Sequence, residues 1–273
     1  MSIWQAIVLG TVQGLTEFIP ISSTAHLRIV PALLGWEDPG TSFSAVIQLG
    51  SLLAVFVYFA KDIRRLTVAA LRSVVSPAAR RGPDARLAWA IAAGTVPIVV
   101  LGLSLRELIE TRFRSLELIA AMLVLVALAL FWVERRARLN RTMAELRLKD
   151  VLVVGCFQAL ALLPGTSRSG ATILGGMLLG LQRGEAARFS FLLGIPAILG
   201  AGLLQIPPVV QAQGAADARW ALAAGLAAAS ISSYAAIAFL LRYLQTHSTA
   251  LFIVYRLGLG LLVFALGSGG WIE

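Results

Sequence analysis

The chain has 273 residues, of which 58% are hydrophobic and only 14% are charged, so its composition excludes a soluble globular protein and indicates a polytopic membrane protein. The formal net charge of +9 would suggest a nucleic-acid partner for a soluble protein, but here the basic residues lie between apolar stretches and indicate topology, so we expect no nucleic acid. At about 20 residues for each crossing, 1–273 has room for one membrane domain and nothing else.

The predicted elements, in chain order, begin with an interrupted apolar segment, 3–34, which breaks at Pro20. A second such segment, 151–180, breaks at Pro164. Non-helical backbone at membrane depth must face protein or a watery cavity, so each segment is expected to form a re-entrant hairpin of two half-length helices. Continuous stretches long enough to cross a bilayer lie at about 42–60, 87–105, 116–134, 188–206, 219–241 and 250–267. The predicted fold is an all-α integral membrane protein with about six transmembrane helices and two re-entrant hairpins.

The two halves of the chain, approximately 1–135 and 147–273, resemble one another. Gln13 to Ser23 aligns with Gln158 to Ser167, and Phe43-Ser44 recurs as Phe189-Ser190. If each half holds one hairpin and three full crossings, the odd number makes the second half enter from the opposite face, which predicts an inverted-topology repeat.

Basic residues are concentrated in 61–86 and 135–149, which we therefore place on the cytoplasmic side. The turn 37–40, the loop 106–115 and the connection 207–218 then lie outside, and the two broken turns meet near mid-membrane. The start of the chain lacks the basic residues of a cleavable signal peptide, so Met1 onward is expected to belong to the fold. Two further expectations are that Cys156 is a small core residue and that Arg256 reaches the cytoplasmic interface.

Glu17 has no other charged side chain within the first 27 residues. An acid at membrane depth costs about 2.5–3.5 kcal/mol, so its presence indicates a function and a nearby partner. Mg²⁺ or Ca²⁺ is typically held by one or two carboxylates together with substrate phosphates. Gln13 lies one helical turn before Glu17 and can face the same site. We therefore predict a divalent cation at Glu17, with Gln13 as a second ligand.

The broken turns are predicted to form an anion site. Ser22 or Ser23 can cap one half-helix and Thr166 or Ser167 the other, so two positive helix ends face one point, which suits a doubly phosphorylated head group. Arg168 adds a planar donor fork, and further hydroxyl donors are Ser169 and Thr172.

The same groups could support phosphoryl transfer, with Ser23 or a water as the nucleophile and His26 moving a proton. Ser23 is the favoured nucleophile, and water remains an alternative. Structural readings also stay open: His26 could bond the opposite hairpin, Ser22 and Ser169 could be caps only, and Arg168 could bridge loop carbonyls.

At these residues the chain resembles the bacitracin-resistance type of undecaprenyl-diphosphatase. The first motif of that family is matched by Gln13, Glu17, Pro20, Ser22, Ser23, Thr24 and His26. The second is matched by Pro164, Gly165, Ser167, Arg168, Ser169, Gly170 and Thr172. The resemblance implies a bacterial inner-membrane phosphatase, open to the periplasmic side, that converts undecaprenyl diphosphate to the monophosphate for cell-wall synthesis. It also implies divalent-cation dependence and bacitracin resistance.

By this resemblance Glu17 is the metal-linked acid, and Ser23 and His26 are the catalytic pair. Arg168 is the main phosphate ligand, and the other residues assigned to phosphate binding are Ser22, Thr24, Ser167, Ser169 and Thr172. Where family members can carry Glu, this chain has Gln13, so Glu17 is the only acid of the first motif.

A secondary transporter or flippase for a phosphorylated lipid or anion is the alternative, because many carriers build their substrate site from broken helices in inverted repeats. The expected partners are a polyprenyl diphosphate and membrane lipids, and a homo-oligomer is left open.

Overall fold

The structure is a computed structural model that describes residues 1–111, 113, 115–212 and 216–269. These residues form α-helices and two short 3-10 turns, and their only β-type pairing is an isolated bridge between Arg141 and Leu181. The helices are α1 (Ile3–Phe18), α2 (Ser23–Leu34), α3 (Gly40–Tyr58), α4 (Ala60–Val75), α5 (Pro77–Arg80), α6 (Pro83–Ser104), α7 (Arg106–Thr111), α8 (Leu116–Arg136), α9 (Leu148–Ala159), α10 (Arg168–Leu178), α11 (Arg183–Ala212), α12 (Ala216–Tyr243) and α13 (Ala250–Ser268).

Six helices in the described part of the chain are long and apolar enough to cross a membrane, namely α3, α6, α8, α11, α12 and α13. They confirm the all-α membrane fold and the six predicted spans. The largest difference is at α11, which continues to Ala212 and shortens the predicted connection 207–218. Residues 213–215 of that connection, and residues 112 and 114 of the predicted loop 106–115, lie outside the described residues.

The two interrupted segments each form two short helices, α1 with α2 and α9 with α10. None exceeds 16 residues, which corresponds to about 24 Å, less than the roughly 30 Å hydrocarbon core. The chain turns at Ser22 (φ 77°) and Ser167 (φ 68°), the only residues other than glycine with positive φ in the described regions. Each serine then caps the following helix, since its hydroxyl accepts a hydrogen bond from Ala25 N or Gly170 N. This geometry fits the predicted hairpins, whose directions of insertion stay predictions.

Equivalent helices of the two halves make equivalent contacts. Helix α1 packs along α12 of the other half, and α9 packs along α6. A side chain on Gly10 would collide with the carbonyl of Gly225, and one on Gly155 with the carbonyl of Gly94. These glycines therefore let the helices approach closely, as in many membrane helix pairs.

The structure shifts one detail of the predicted repeat alignment. Gly155 follows Gly10 by 145 positions, and the same spacing separates Ser167 from Ser22. Ser22, not Ser23, is thus the counterpart of Ser167, because both occupy the positive-φ cap position.

The prediction that Cys156 lies in the core is wrong. Helix α9 is buried through Val151, Val154, Gly155 and Gln158, and the helical period turns Cys156 to the outer face, where it is exposed.

Candidate active site

The first hairpin brings two predicted residues to the carboxylate of a third, Glu17. Glu17, in the last turn of α1, is buried. Its Oε2 accepts hydrogen bonds from Gln13 Nε2 at 2.7 Å and from Ser23 Oγ at 2.5 Å. Gln13 reaches it because residues four apart share a helix face, and Ser23 because it is the first residue of α2.

The second hairpin supplies the partner charge. Arg168, the first residue of α10, donates from Nη2 to Glu17 Oε1 at 2.5 Å. The guanidinium lies over Gly194 of α11, where a Cβ would be 3.3 Å from Arg168 Cζ and Nε. A charge-assisted bond of this kind is among the stronger hydrogen bonds in proteins. The acid and the guanidinium that the sequence singled out therefore meet between the two turns.

Each hairpin carries the same pair of hydroxyls at its helix start. Ser22 Oγ lies 3.1 Å from Thr24 Oγ1, and Ser167 Oγ lies 3.1 Å from Ser169 Oγ. Ser169 Oγ also donates to the backbone carbonyl of Glu17 at 3.1 Å, which links the hairpins. Each hairpin thus starts its second helix with two hydroxyls at the helix N-terminus, an arrangement suited to a phosphate.

His26 is held in one orientation by two contacts. Its Nδ1 lies 2.7 Å from Ser22 O, and its Nε2 lies 2.7 Å from the hydroxyl of Tyr255 on α13. A carbonyl only accepts, so Nδ1 carries the proton, and in the neutral ring Nε2 accepts from Tyr255. The rings are also stacked, with centroids 5.7 Å apart. Sequence reasoning missed Tyr255, because a tyrosine within a span carries no local signal.

The predicted catalytic pair is not directly bonded. Ser23 donates to Glu17, whereas His26 is engaged by Ser22 and Tyr255. The base nearest to the Ser23 hydroxyl is therefore the carboxylate of Glu17.

Thr172 is fully buried and makes its hydrogen bonds within the second half of the protein. Its hydroxyl donates to Arg168 O at 2.8 Å and lies 2.5 Å from Ser190 Oγ on α11. These contacts support α10 from within the protein, and a role for Thr172 in phosphate binding stays a prediction.

The donor set for a cation is small. Both carboxylate oxygens of Glu17 already accept hydrogen bonds from side chains. Gln13 Oε1 is buried without a hydrogen-bond partner among the described residues. The described residues contain no group of three His, Cys, Asp or Glu side chains that could hold a metal. One carboxylate and one amide oxygen suit a Mg²⁺ or Ca²⁺ whose remaining ligands are substrate phosphates. They do not form an all-protein cage.

The expectation that Arg256 reaches the cytoplasmic interface is wrong. Its side chain is completely buried and donates to four backbone carbonyls. The second turn of α13 points this residue at α8 and at the two broken turns, whose free carbonyls take the place of interfacial water. The bridging of loop carbonyls considered for Arg168 is thus made by Arg256.

A cavity of about 440 Å³ opens beside the turns. Its wall combines residues of α2 (Thr24 and Arg28), the second turn (Pro164) and mostly apolar residues of α3, α6 and α11. Arg28 also pairs with Asp38, at 3.7 Å, on the same wall. The cavity is large and apolar enough for part of a lipid, and its lining also includes polar side chains of α2, α3 and α11.

Residues 6–262 match the family described as bacitracin resistance protein BacA. The chain is 52% identical over 270 residues to an undecaprenyl-diphosphatase of Myxococcus xanthus, with 97% of this chain and 89% of the relative covered. It is 49% identical over 283 residues to an undecaprenyl-diphosphatase of Chloroherpeton thalassium, with 100% and 99% covered. A relative of the same description in Prosthecochloris aestuarii is 46% identical over 281 residues, with both chains fully covered.

Proposed function

Because this chain belongs to the BacA family of bacitracin resistance proteins, we propose that its polar site hydrolyses undecaprenyl diphosphate to undecaprenyl phosphate and inorganic phosphate. The observation that carries the assignment to this site is the contact of Glu17 and Arg168 between two helix N-termini, beside the Ser23 hydroxyl. The arrangement combines an anion site with a nucleophile and a base, as phosphoryl transfer requires.

The phosphates bind at the junction of the two turns. Arg168 has five N–H donors and uses one on Glu17, so others remain for phosphate oxygens. Additional donors come from the starts of α2 and α10 and from Ser22, Thr24, Ser167 and Ser169. The apolar wall of the neighbouring cavity receives the first part of the prenyl chain.

The reaction starts from the Ser23–Glu17 hydrogen bond. Ser23 Oγ attacks the terminal phosphorus while its proton passes to Glu17 Oε2. A bond forms between Oγ and phosphorus, and the bond from phosphorus to the bridging oxygen breaks, with its electron pair leaving on undecaprenyl phosphate. Water then attacks the phosphoserine: its oxygen bonds to phosphorus, the bond from phosphorus to Ser23 Oγ breaks, Oγ takes back its proton from Glu17, and inorganic phosphate leaves. Direct attack by water is the alternative. His26 Nε2, held by Tyr255, moves a proton in one of these steps.

A divalent cation bound by Glu17, Gln13 and the substrate phosphates would neutralise charge on the transferring phosphoryl group. The buried, unpartnered Gln13 Oε1 supports this part of the proposal. Gln13 also holds Glu17 in place through its Nε2, a function that needs no cation.

The site opens to the outer side of a bacterial inner membrane. Basic segments 61–86 and 135–149 adjoin the start of α6 and the end of α8, and the positive-inside tendency places them in the cytoplasm. The cavity is lined from the opposite ends of the spans, by Thr41 at the start of α3, Leu103 at the end of α6 and Gln205 late in α11. In this orientation the enzyme recycles the lipid carrier for cell-wall synthesis and confers bacitracin resistance.

Charge-removing substitutions at the site test the proposal. We expect Glu17→Gln to lower phosphate release from a polyprenyl diphosphate in detergent by at least about 100-fold, because the base for Ser23 and the partner of Arg168 are lost together. Glu117→Gln makes the same change at an exposed acid of α8 and should leave turnover unchanged. A Glu17→Gln variant that keeps near-normal turnover contradicts the assigned site.

A carrier is the second candidate function. The broken helices α1 and α9 each pack against a full span of the other half, an arrangement that many carriers share. An assay with the purified protein reconstituted in vesicles distinguishes transport from hydrolysis. Movement of a phosphorylated lipid or anion without phosphate release would favour transport, and phosphate release without movement would favour hydrolysis.

A further inference from the structure

Arg256 is an arginine buried in a membrane-spanning helix, yet the proposed chemistry makes no use of it. Its exposed fraction is 0%, and it forms no ion pair with an acid in the described part of the chain. Burying a charge without a counter-charge is costly, so hydrogen bonds must offset the loss of water and a role must justify the cost.

The guanidinium of Arg256 bonds to three separate segments. Nη1 donates to Pro20 O of the first turn at 3.1 Å, and Nη2 donates to Gly165 O of the second turn at 2.9 Å. Nε and Nη2 also donate to Leu123 O and Met122 O of α8, at 3.2 and 3.1 Å. One rigid, planar group therefore ties both hairpins to a third helix.

The two turn carbonyls are equivalent in the internal repeat. Gly165 follows Pro20 by 145 positions, the spacing that also separates Ser167 from Ser22. A single guanidinium thus binds the equivalent carbonyl of both hairpins. Each of these carbonyls belongs to the residue two positions before the helix cap. Such carbonyls lack helical partners where the helices are broken, so Arg256 satisfies them and also sets the separation of the turns.

That separation determines the geometry of the site. Glu17 lies three residues before Pro20, and Arg168 lies three residues after Gly165. Their contact at 2.5 Å joins the hairpins through two side chains, and Arg256 joins them through two backbone carbonyls. A misplacement of about 1 Å at a reacting centre can cost about 100-fold in rate.

We propose that Arg256 is a positioning residue, whose guanidinium holds the two broken turns at the separation that brings Ser23, Glu17 and Arg168 into register. It acts through backbone carbonyls and does not touch the substrate. The inference rests on the proposed function for its kinetic effect, but the bracing itself can be measured without activity.

The test combines steady-state kinetics with a distance measurement. In a Cys156→Ala background, spin labels at Leu33→Cys on α2 and Leu178→Cys on α10, both exposed positions, report the separation of the hairpins by pulsed electron resonance. We expect Arg256→Met to broaden this distance distribution and to lower kcat for a polyprenyl diphosphate by about 100-fold, with KM changed less than about threefold. Arg242→Met makes the same change at an exposed arginine of α12 and should alter neither measurement.

A second variant keeps the test decisive if Arg256→Met does not fold. Arg256→Lys keeps the charge, but one ammonium group cannot reach carbonyls on three segments, so we expect a broader distribution and about a tenfold lower kcat. A folded variant with the parent's distance distribution overturns the inference, whatever its activity. If the parent protein releases no phosphate, the proposed function fails, while the distance measurement still decides whether Arg256 braces the turns.

Discussion

At the scale of single residues, Ser23 differs from the other hydroxyls of the site in its partner. It donates to Glu17 at 2.5 Å, whereas Ser22 and Ser167 accept from backbone N–H groups as helix caps. A serine bonded to a buried carboxylate is placed to lose its proton, and a cap is placed to start a helix. The structure therefore separates the role proposed for Ser23 from that of its neighbour Ser22.

Substitution of Ser23 distinguishes serine attack from direct attack by water. We expect Ser23→Ala to lower kcat by at least about 1000-fold if Ser23 is the nucleophile, because residual turnover then depends on binding and electrostatics alone. Acid-quenched reactions with substrate labelled at the terminal phosphate should leave label on the parent protein and none on Ser23→Ala. Unlabelled parent protein, together with a loss below about tenfold in the variant, would favour direct attack by water.

Tyr255 orients His26 from the facing helix, so its hydroxyl is expected to matter for turnover. Tyr255→Phe keeps the stacked ring but removes one hydrogen bond worth about 1 kcal/mol, which corresponds to a roughly fivefold lower kcat. The pH dependence of kcat should change as well, because the proton-carrying imidazole loses a partner. Tyr234→Phe, at an exposed tyrosine of α12, serves as the matched control. Identical pH profiles for Tyr255→Phe and the parent would contradict a positioning role.

At the scale of elements, close packing against neighbouring helices holds the short helices of the broken segments in place. Helices α1 and α9 are too short to cross the membrane, and each lies against a full span of the other half. Close approach maximises van der Waals contact, which is the main attraction between helices in lipid.

A methyl group at one of these contacts should loosen the corresponding pair. We expect Gly10→Ala to destabilise the protein by about 1–3 kcal/mol, because the new Cβ would collide with the carbonyl of Gly225 and the backbones must separate. Gly258→Ala, on α13, has open space at the Cβ position and is the matched control. Thermal unfolding in detergent measures the difference. Equal melting temperatures for the two variants would contradict the contact.

At the scale of the whole molecule, the orientation in the membrane decides which leaflet supplies the substrate. We expect Glu37→Cys, in a Cys156→Ala background, to react in intact cells with a thiol reagent that cannot cross the membrane. Arg81→Cys in the same background should react only after the membrane is opened, because the positive-inside tendency predicts that the basic segments face the cytoplasm. The reverse labelling pattern would place the site on the cytoplasmic side.

Local sequence was sufficient to predict features that depend on helical periodicity, on composition or on the free-energy cost of burying a charge in lipid. It predicted the six spans because each is a continuous apolar stretch, and it predicted the broken segments because proline and hydroxyls interrupt them. It identified Glu17 because an acid is expensive at that depth, and Gln13 because residues four apart share a helix face.

Only the tertiary structure decided which side chains from distant segments meet these residues. Tyr255 and Arg256 lie in an apolar span more than 220 positions after the first hairpin, so no local pattern connects them to it. The same limit explains the wrong expectations for Cys156 and Arg256: a sequence shows that a residue lies within an apolar helix, but the packing of the neighbouring helices determines whether it faces lipid, core or a broken turn.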